Sequence, residues 1–167
     1  MKRPLFILLL CFATDAAFAQ KKTPTFSQFP ANVEKAQVKT IDFKKNPDAR
    51  TFKTRLSAAL KGGVNFAGHY IVAGWGCGTG CISGAIIDAR NGNVLWPEQF
   101  NALAVLYSGD SYAEIPVDYK KNSRLLIISG VPGRKDERGP EKASGIYYYE
   151  WKNDHLRQVK FVPKKMD

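Results

Sequence analysis

Residues able to do chemistry gather in one stretch of this 167-residue chain, between Asn65 and Asp88. It holds Cys77, Cys81, His69 and Asp88, the residue types of a cysteine hydrolase. In such an enzyme a thiolate attacks, an imidazole moves the proton and a carboxylate orients the imidazole. Cys77 or Cys81, His69 and Asp88 would fill those roles. The chain has only two histidines, and His155 falls at a predicted hairpin tip, so His69 is the better base. A serine version through Ser83 or Ser111 has no nucleophile-elbow motif behind it. Cys77, Cys81 and His69 also make a three-ligand set. Structural zinc sites close with four ligands, and no second Cys or His pair follows, so no metal or other cofactor is expected.

A different chemistry suits the same stretch. Gly76, Gly78 and Gly80 alternate through Trp75-Gly76-Cys77-Gly78-Thr79-Gly80-Cys81. A disulfide needs its Cα atoms within about 7 Å, whereas an extended five-residue span would hold them about 13 Å apart. A Cys77–Cys81 bridge therefore demands a sharp turn, and glycine permits the positive φ values that turn needs. Consecutive backbone N–H groups in a rigid turn can cradle an anion. Trp75 and Tyr70 would add stacking surface. The candidate binding residues are His69, Tyr70, Trp75, Gly78, Thr79 and Gly80.

The choice between thiol chemistry and a clasp rests on redox state, hence on address. Lys2 and Arg3 make a positive start, Leu5 to Ala13 an apolar run, and Ala17-Phe18-Ala19 a small-x-small site. That order is an export signal, residues 1–19, cleaved between Ala19 and Gln20. The run is too short to span a bilayer, which takes about 20 apolar residues. Leu10 before Cys11 argues against a lipid anchor, and no other segment reads as transmembrane. Export would discard Cys11 and leave Cys77 and Cys81 in the periplasm or outside the cell. Two cysteines in an oxidising compartment generally pair. The expectation is a structural disulfide and a non-enzymatic binding domain, with a small envelope hydrolase as the alternative.

The elements that position this stretch read as α+β, mainly antiparallel β. Residues 20–32 are a polar, extended lead-in to a single globular domain spanning 20–167, and Val33 to Phe43 has room for a short strand. Asn46-Pro47-Asp48 starts an N-terminal helix whose apolar face is Phe52, Leu56, Ala59 and Leu60, and Gly62-Gly63 ends it. Asn65–Trp75 and Cys81–Arg90 read as strands, and Asn91-Gly92 as a type I′ turn leading back through Asn93–Trp96. Further strands are predicted over Tyr112–Val117, with Pro116 marking an edge, and over Arg124–Ser129. Gly145–Trp151 and Leu156–Val162 form a last hairpin around Asn153-Asp154. Tyr147, Tyr149 and Trp151 alternate onto one core face, with Tyr148 and Glu150 on the other. Gly130 to Lys142 reads as a long charged loop. The result is a helix packed on a meander of hairpins.

The chain carries 25 basic and 15 acidic residues. Loss of Lys2, Arg3 and Asp15 with the signal leaves a net charge of +9. The charge is scattered in pairs such as Lys44-Lys45 and Lys120-Lys121, with no nucleic-acid motif, so specific nucleic acid is not an expected partner. Another envelope protein, such as a hydrolase or toxin it restrains, or an anionic envelope ligand fits better. A cationic lysozyme-type target would be repelled.

Asn65-Phe66-Ala67-Gly68-His69-Tyr70, the Trp75–Cys81 segment and Gly84-Ala85-Ile86-Ile87-Asp88 together resemble a group of small exported bacterial proteins of uncharacterised function. The resemblance covers about residues 50–95 and the signal arrangement. It implies a bacterial, periplasmic address and brings no activity, cofactor or catalytic residue.

Overall fold

The computed structural model describes residues 22–108, 111–112, 116–133 and 142–165. The expected export signal, its cleavage point and most of the Gly130–Lys142 loop lie outside the described residues.

Asn46 precedes a 3-10 turn, Pro47–Phe52, that runs directly into the helix α1, Lys53–Gly62. Proline suits this first turn because its missing N–H would have no partner there. The Asn46 side chain does not cap the helix. Its Oδ1 instead accepts from the Val94 N–H at 3.0 Å, tying the helix start to the sheet. Leu56 and Leu60 are buried, with Phe52 and Ala59 packed beside them, as the spacing predicts. The helix stops where Gly63 takes φ 81°. It precedes every strand of the sheet but is not N-terminal, beginning only at Lys53.

The strands are β1 (Tyr70–Gly78), β2 (Cys81–Asp88), β3 (Val94–Leu95), β4 (Leu103–Val105), β5 (Tyr107–Ser108), β6 (Ser111–Tyr112), β7 (Val117–Tyr119), β8 (Leu125–Val131), β9 (Gly145–Lys152) and β10 (His155–Pro163). Eight of them form one antiparallel sheet in the order β1-β2-β4-β8-β9-β10, with β3 on β2 and β7 on β8. β5 and β6 pair separately. The fold is α+β and mainly antiparallel, as expected.

Several expectations need correction. Asn65–Phe66–Ala67–Gly68–His69 precede the first strand, because Ala67 (φ 44°) and Gly68 (φ 88°) turn the chain there. A Cβ on Gly68 would sit 2.3 Å from the Asn32 carbonyl oxygen, so only glycine fits. Val33 to Phe43 forms no strand; Glu34, Gln37 and Val38 donate instead to the loop carbonyls of Gly68 and Ala89. Asn91-Gly92 is not a two-residue type I′ turn. Ile87 pairs with Val94, and the Asn91 and Gly92 amides both donate to the Asp88 carbonyl, with only Gly92 at positive φ. Gly130 and Val131 belong to β8 and not to a loop. The last hairpin does turn at Asn153-Asp154, both at positive φ.

Both faces of the sheet are covered. Ile71, Ala73, Ala85 and Ile87 pack under Leu56 and Leu60 of α1. Tyr70, Val72, Ile86, Leu126, Ile128 and the predicted trio Tyr147, Tyr149 and Trp151 share the opposite core. The sheet curls over this second core. β1 lies at one end of the strand order and β9–β10 at the other, yet the rings of Tyr70 and Trp151 are 5.1 Å apart, edge to face. On the other side of β9, Tyr148 and Glu150 are also buried.

Candidate functional site

β1 and β2 make one hairpin with two unlike ends, and the sequence-predicted site residues divide between them. At the first end, Tyr70 pairs with Asp88. The Tyr70 hydroxyl donates to Asp154 Oδ1 at 2.6 Å. Burial and that hydrogen bond push the hydroxyl up to about 12. Asp88 accepts from the Arg90 backbone, from Arg90 Nε and Nη2, and from Asn91 Nδ2. Burial raises the Asp88 carboxyl, but the Arg90 hydrogen bonds outweigh it and hold it below its ordinary value. His69 stands beside this network, with Nδ1 3.5 Å from Glu34 and its ring against Tyr70. Its Nε2 is buried without a partner among the described residues. These groups lock the hairpin base to its surroundings.

Cys77 and Cys81 occupy the other end, joined as a disulfide with Cα atoms 5.1 Å apart. Gly78 pairs with Cys81 across the Thr79-Gly80 turn, and Gly78 and Gly80 both take positive φ, as a clasped turn requires. Seven strand steps separate Tyr70 from Cys77, about 23 Å at ~3.3 Å each. The cysteines are therefore remote from His69 and Asp88, and their sulfurs are bonded to each other. The imidazole, carboxylate and thiol of the hydrolase reading do not meet. Among the described residues, no group of three or more His, Cys, Asp or Glu side chains is placed to hold a metal.

The structure brings together something the sequence reading missed. A cleft of about 560 Å³ opens at the clasped end, on the face of the sheet shared with Tyr70 and Val72. Alternation along β1 puts Gly74 and Gly76 on that face. Ile82, Phe100, Val117 and Tyr119 wall the cleft, and Gly78, Thr79 and Gly80 form its rim. The floor glycines have no steric need to be glycine. A Cβ on Gly76 would meet nothing within 4 Å, one on Gly74 would make only an ordinary contact at 3.9 Å, and neither has positive φ. Gly84, opposite Gly74, differs: its Cβ would lie 2.7 Å from the Ala73 carbonyl oxygen. The alternate spacing of Gly74, Gly76 and Gly78 was the available signal, but it becomes a cavity only once Phe100 and Tyr119 arrive from elsewhere.

Trp75 points to the opposite face, where it stacks on Phe52 at 4.5 Å with Trp96 edge-on at 6.2 Å. A shallower groove of about 550 Å³ runs there between Trp75 and the helix residues Arg55 and Ala59. Trp75, Gly78, Thr79 and Gly80 of the predicted binding set thus stand at the clasped end, and His69 and Tyr70 at the other. Comparison with protein-family models, curated proteins and solved structures gives no match.

Proposed function

We propose that this chain is an exported, non-enzymatic binding domain whose ligand seats in the cleft at the disulfide-clasped end of the β1–β2 hairpin. The carrying observation is the floor of that cleft. Gly74 and Gly76 leave open space where side chains would fit, so the sequence keeps free a volume that an ordinary strand would fill. Burial of a partner's apolar group against Phe100, Ile82 and Tyr119 would supply affinity at about 25 cal/mol per Å² removed from water. The disulfide holds the rim in its bound shape, which lowers the ordering cost of binding.

The address is part of the same reading. A Cys77–Cys81 disulfide suits an oxidising compartment, and no described helix is long and apolar enough to cross a membrane. The positive charge favours an acidic envelope protein or an anionic envelope ligand.

Immobilised wild-type protein and Gly76→Leu, matched in melting temperature, test the reading in envelope extract. The expected result is a species retained by wild type and lost from Gly76→Leu. Equal retention by both, or no retention together with turnover of an envelope substrate, overturns it.

A further inference from the structure

The free margin of β1 runs beside this cleft, and its two halves are treated differently. Along the first half every outward backbone group is met. The Tyr70 N–H donates to the Phe66 carbonyl, and the Tyr70 carbonyl accepts from Asn65 and Phe66. The Asn65 side chain then behaves as a one-residue strand: its Nδ2 donates to the Val72 carbonyl at 3.1 Å, and its Oδ1 accepts from the Val72 N–H at 2.8 Å. Because Tyr70 and Val72 bond outward, alternation makes Gly74 and Gly76 bond outward too. No described residue meets them. Both are exposed, and the register with β2 is unbroken through Gly76.

Natural sheets blunt such margins with charge, proline or a bulge. The opposite margin, β10, has all three: Arg157 and Lys160, Pro163, and a bulge between Gln158 and Lys160. From Tyr70 to Gly76, β1 has none of them.

We infer that the β1 margin at Gly74–Gly76 receives an extended acidic segment of a partner protein, added to the sheet as a further strand. This rests on the binding reading above and names its ligand class. An added strand sends alternate side chains to opposite faces. On one face they would enter the glycine-floored cleft, and on the other the groove beside Arg55 and Trp75. The first space is apolar and suits a residue such as valine. The second has a cation at its edge and suits glutamate or aspartate. Charge over the wider surface agrees. The helix carries Lys53, Arg55 and Lys61 with no Asp or Glu, and β1 with its turn and β2 as far as Ile87 has no acidic residue; Asp88 stands at the far end of the hairpin, bonded to Arg90. The same charge disfavours a second copy of this chain, whose identical margin would bring like charges together.

The test is titration of the full exported protein with a capped hexapeptide of alternating Glu and Val. Nuclear magnetic resonance follows the Gly74 and Gly76 amides and their hydrogen exchange. The comparators are the Lys–Val peptide and two N-methylated Glu–Val peptides, each blocked at one alternate set of amides. The expected outcome is exchange at the Gly74 and Gly76 amides slowed at least tenfold. Affinity should fall at least tenfold for the Lys–Val peptide at low salt and for one of the two N-methylated peptides. Gly76→Pro, which removes one outward N–H and spares the β2 ladder, should weaken binding to the same degree with an unchanged melting temperature. Three results overturn the inference: undiminished binding of both N-methylated peptides, no protection at Gly74 and Gly76, or protection that follows self-association in sedimentation. If no peptide binds while Gly76→Leu still loses its species from envelope extract, strand addition falls and the cleft reading stands.

Discussion

The two ends of the β1–β2 hairpin show one strand pair held by two kinds of interaction. At the Tyr70–Asp88 end, buried side chains and a carboxylate network fill the space, and the outward backbone groups of Tyr70 and Val72 are all bonded. At the Gly74–Cys81 end there are glycines, an exposed margin and a covalent clasp. The first end is stabilised by burial. The second has too few side chains to be held that way, and a disulfide replaces them. Rigidity without bulk is what a binding surface requires, since a clasped turn keeps its shape while leaving space beside it.

The contrast can be broken most severely at the packed end. Phe66 is fully buried between Tyr119 and Trp151. Phe66→Ala should cost about 3–5 kcal/mol in chemical denaturation. A loss below about 1 kcal/mol would mean that the packed end is not what holds the hairpin. At the clasped end, Cys77→Ser with Cys81→Ser should cost only about 2 kcal/mol, the loop-closure contribution of so short a ring. Hydrogen exchange should quicken at the Trp75 and Ser83 amides, which bond each other's strands beside the clasp, and stay unchanged near Tyr70.

Acid should loosen the molecule away from the cleft. Asp88 is held below its ordinary 3.8 because the Arg90 hydrogen bonds outweigh the opposing effect of burial. Glu150 is held below its ordinary 4.5 by Arg157 and, against burial, by Arg124. The folded carboxylates bind protons more weakly than the unfolded ones. Their stabilisation is therefore complete above about pH 5 and is lost as the pH falls through the lowered values. Melting temperature should decline on acidification below about pH 4.5, and Asp88→Asn should flatten part of that decline.

The smallest expected effect is the most diagnostic. Gly76→Ala should change stability by less than about 0.5 kcal/mol, as an exposed substitution does. Gly84→Ala, two ladder positions along and across the strands, should cost about 1–3 kcal/mol because backbone must move. Equal costs at the two glycines, measured by denaturation, would remove the distinction between a glycine kept for packing and one kept for space.

The sequence by itself determined the local elements. The Phe52, Leu56, Ala59, Leu60 spacing marks a helix, since an apolar stripe at that period has no other way to be buried. The alternation of Tyr147, Tyr149 and Trp151 marks a strand with one core face, and two cysteines four positions apart amid glycines mark a turn that can be bridged. Those are short-range facts, and the structure agrees with them. Only the tertiary structure decided how far apart His69 and Cys77 would stand. One strand that runs straight separates residues that look adjacent in a list of chemical types. It also decided where the first strand begins, because the chain turns at Ala67 and Gly68, where the Asn32 carbonyl of a distant segment lies too close for any side chain on Gly68. The cleft was out of reach of sequence for the same reason. Its floor is local to β1, but its walls come from Phe100, Val117 and Tyr119, and their arrival depends on sheet order and curl, which no local pattern encodes.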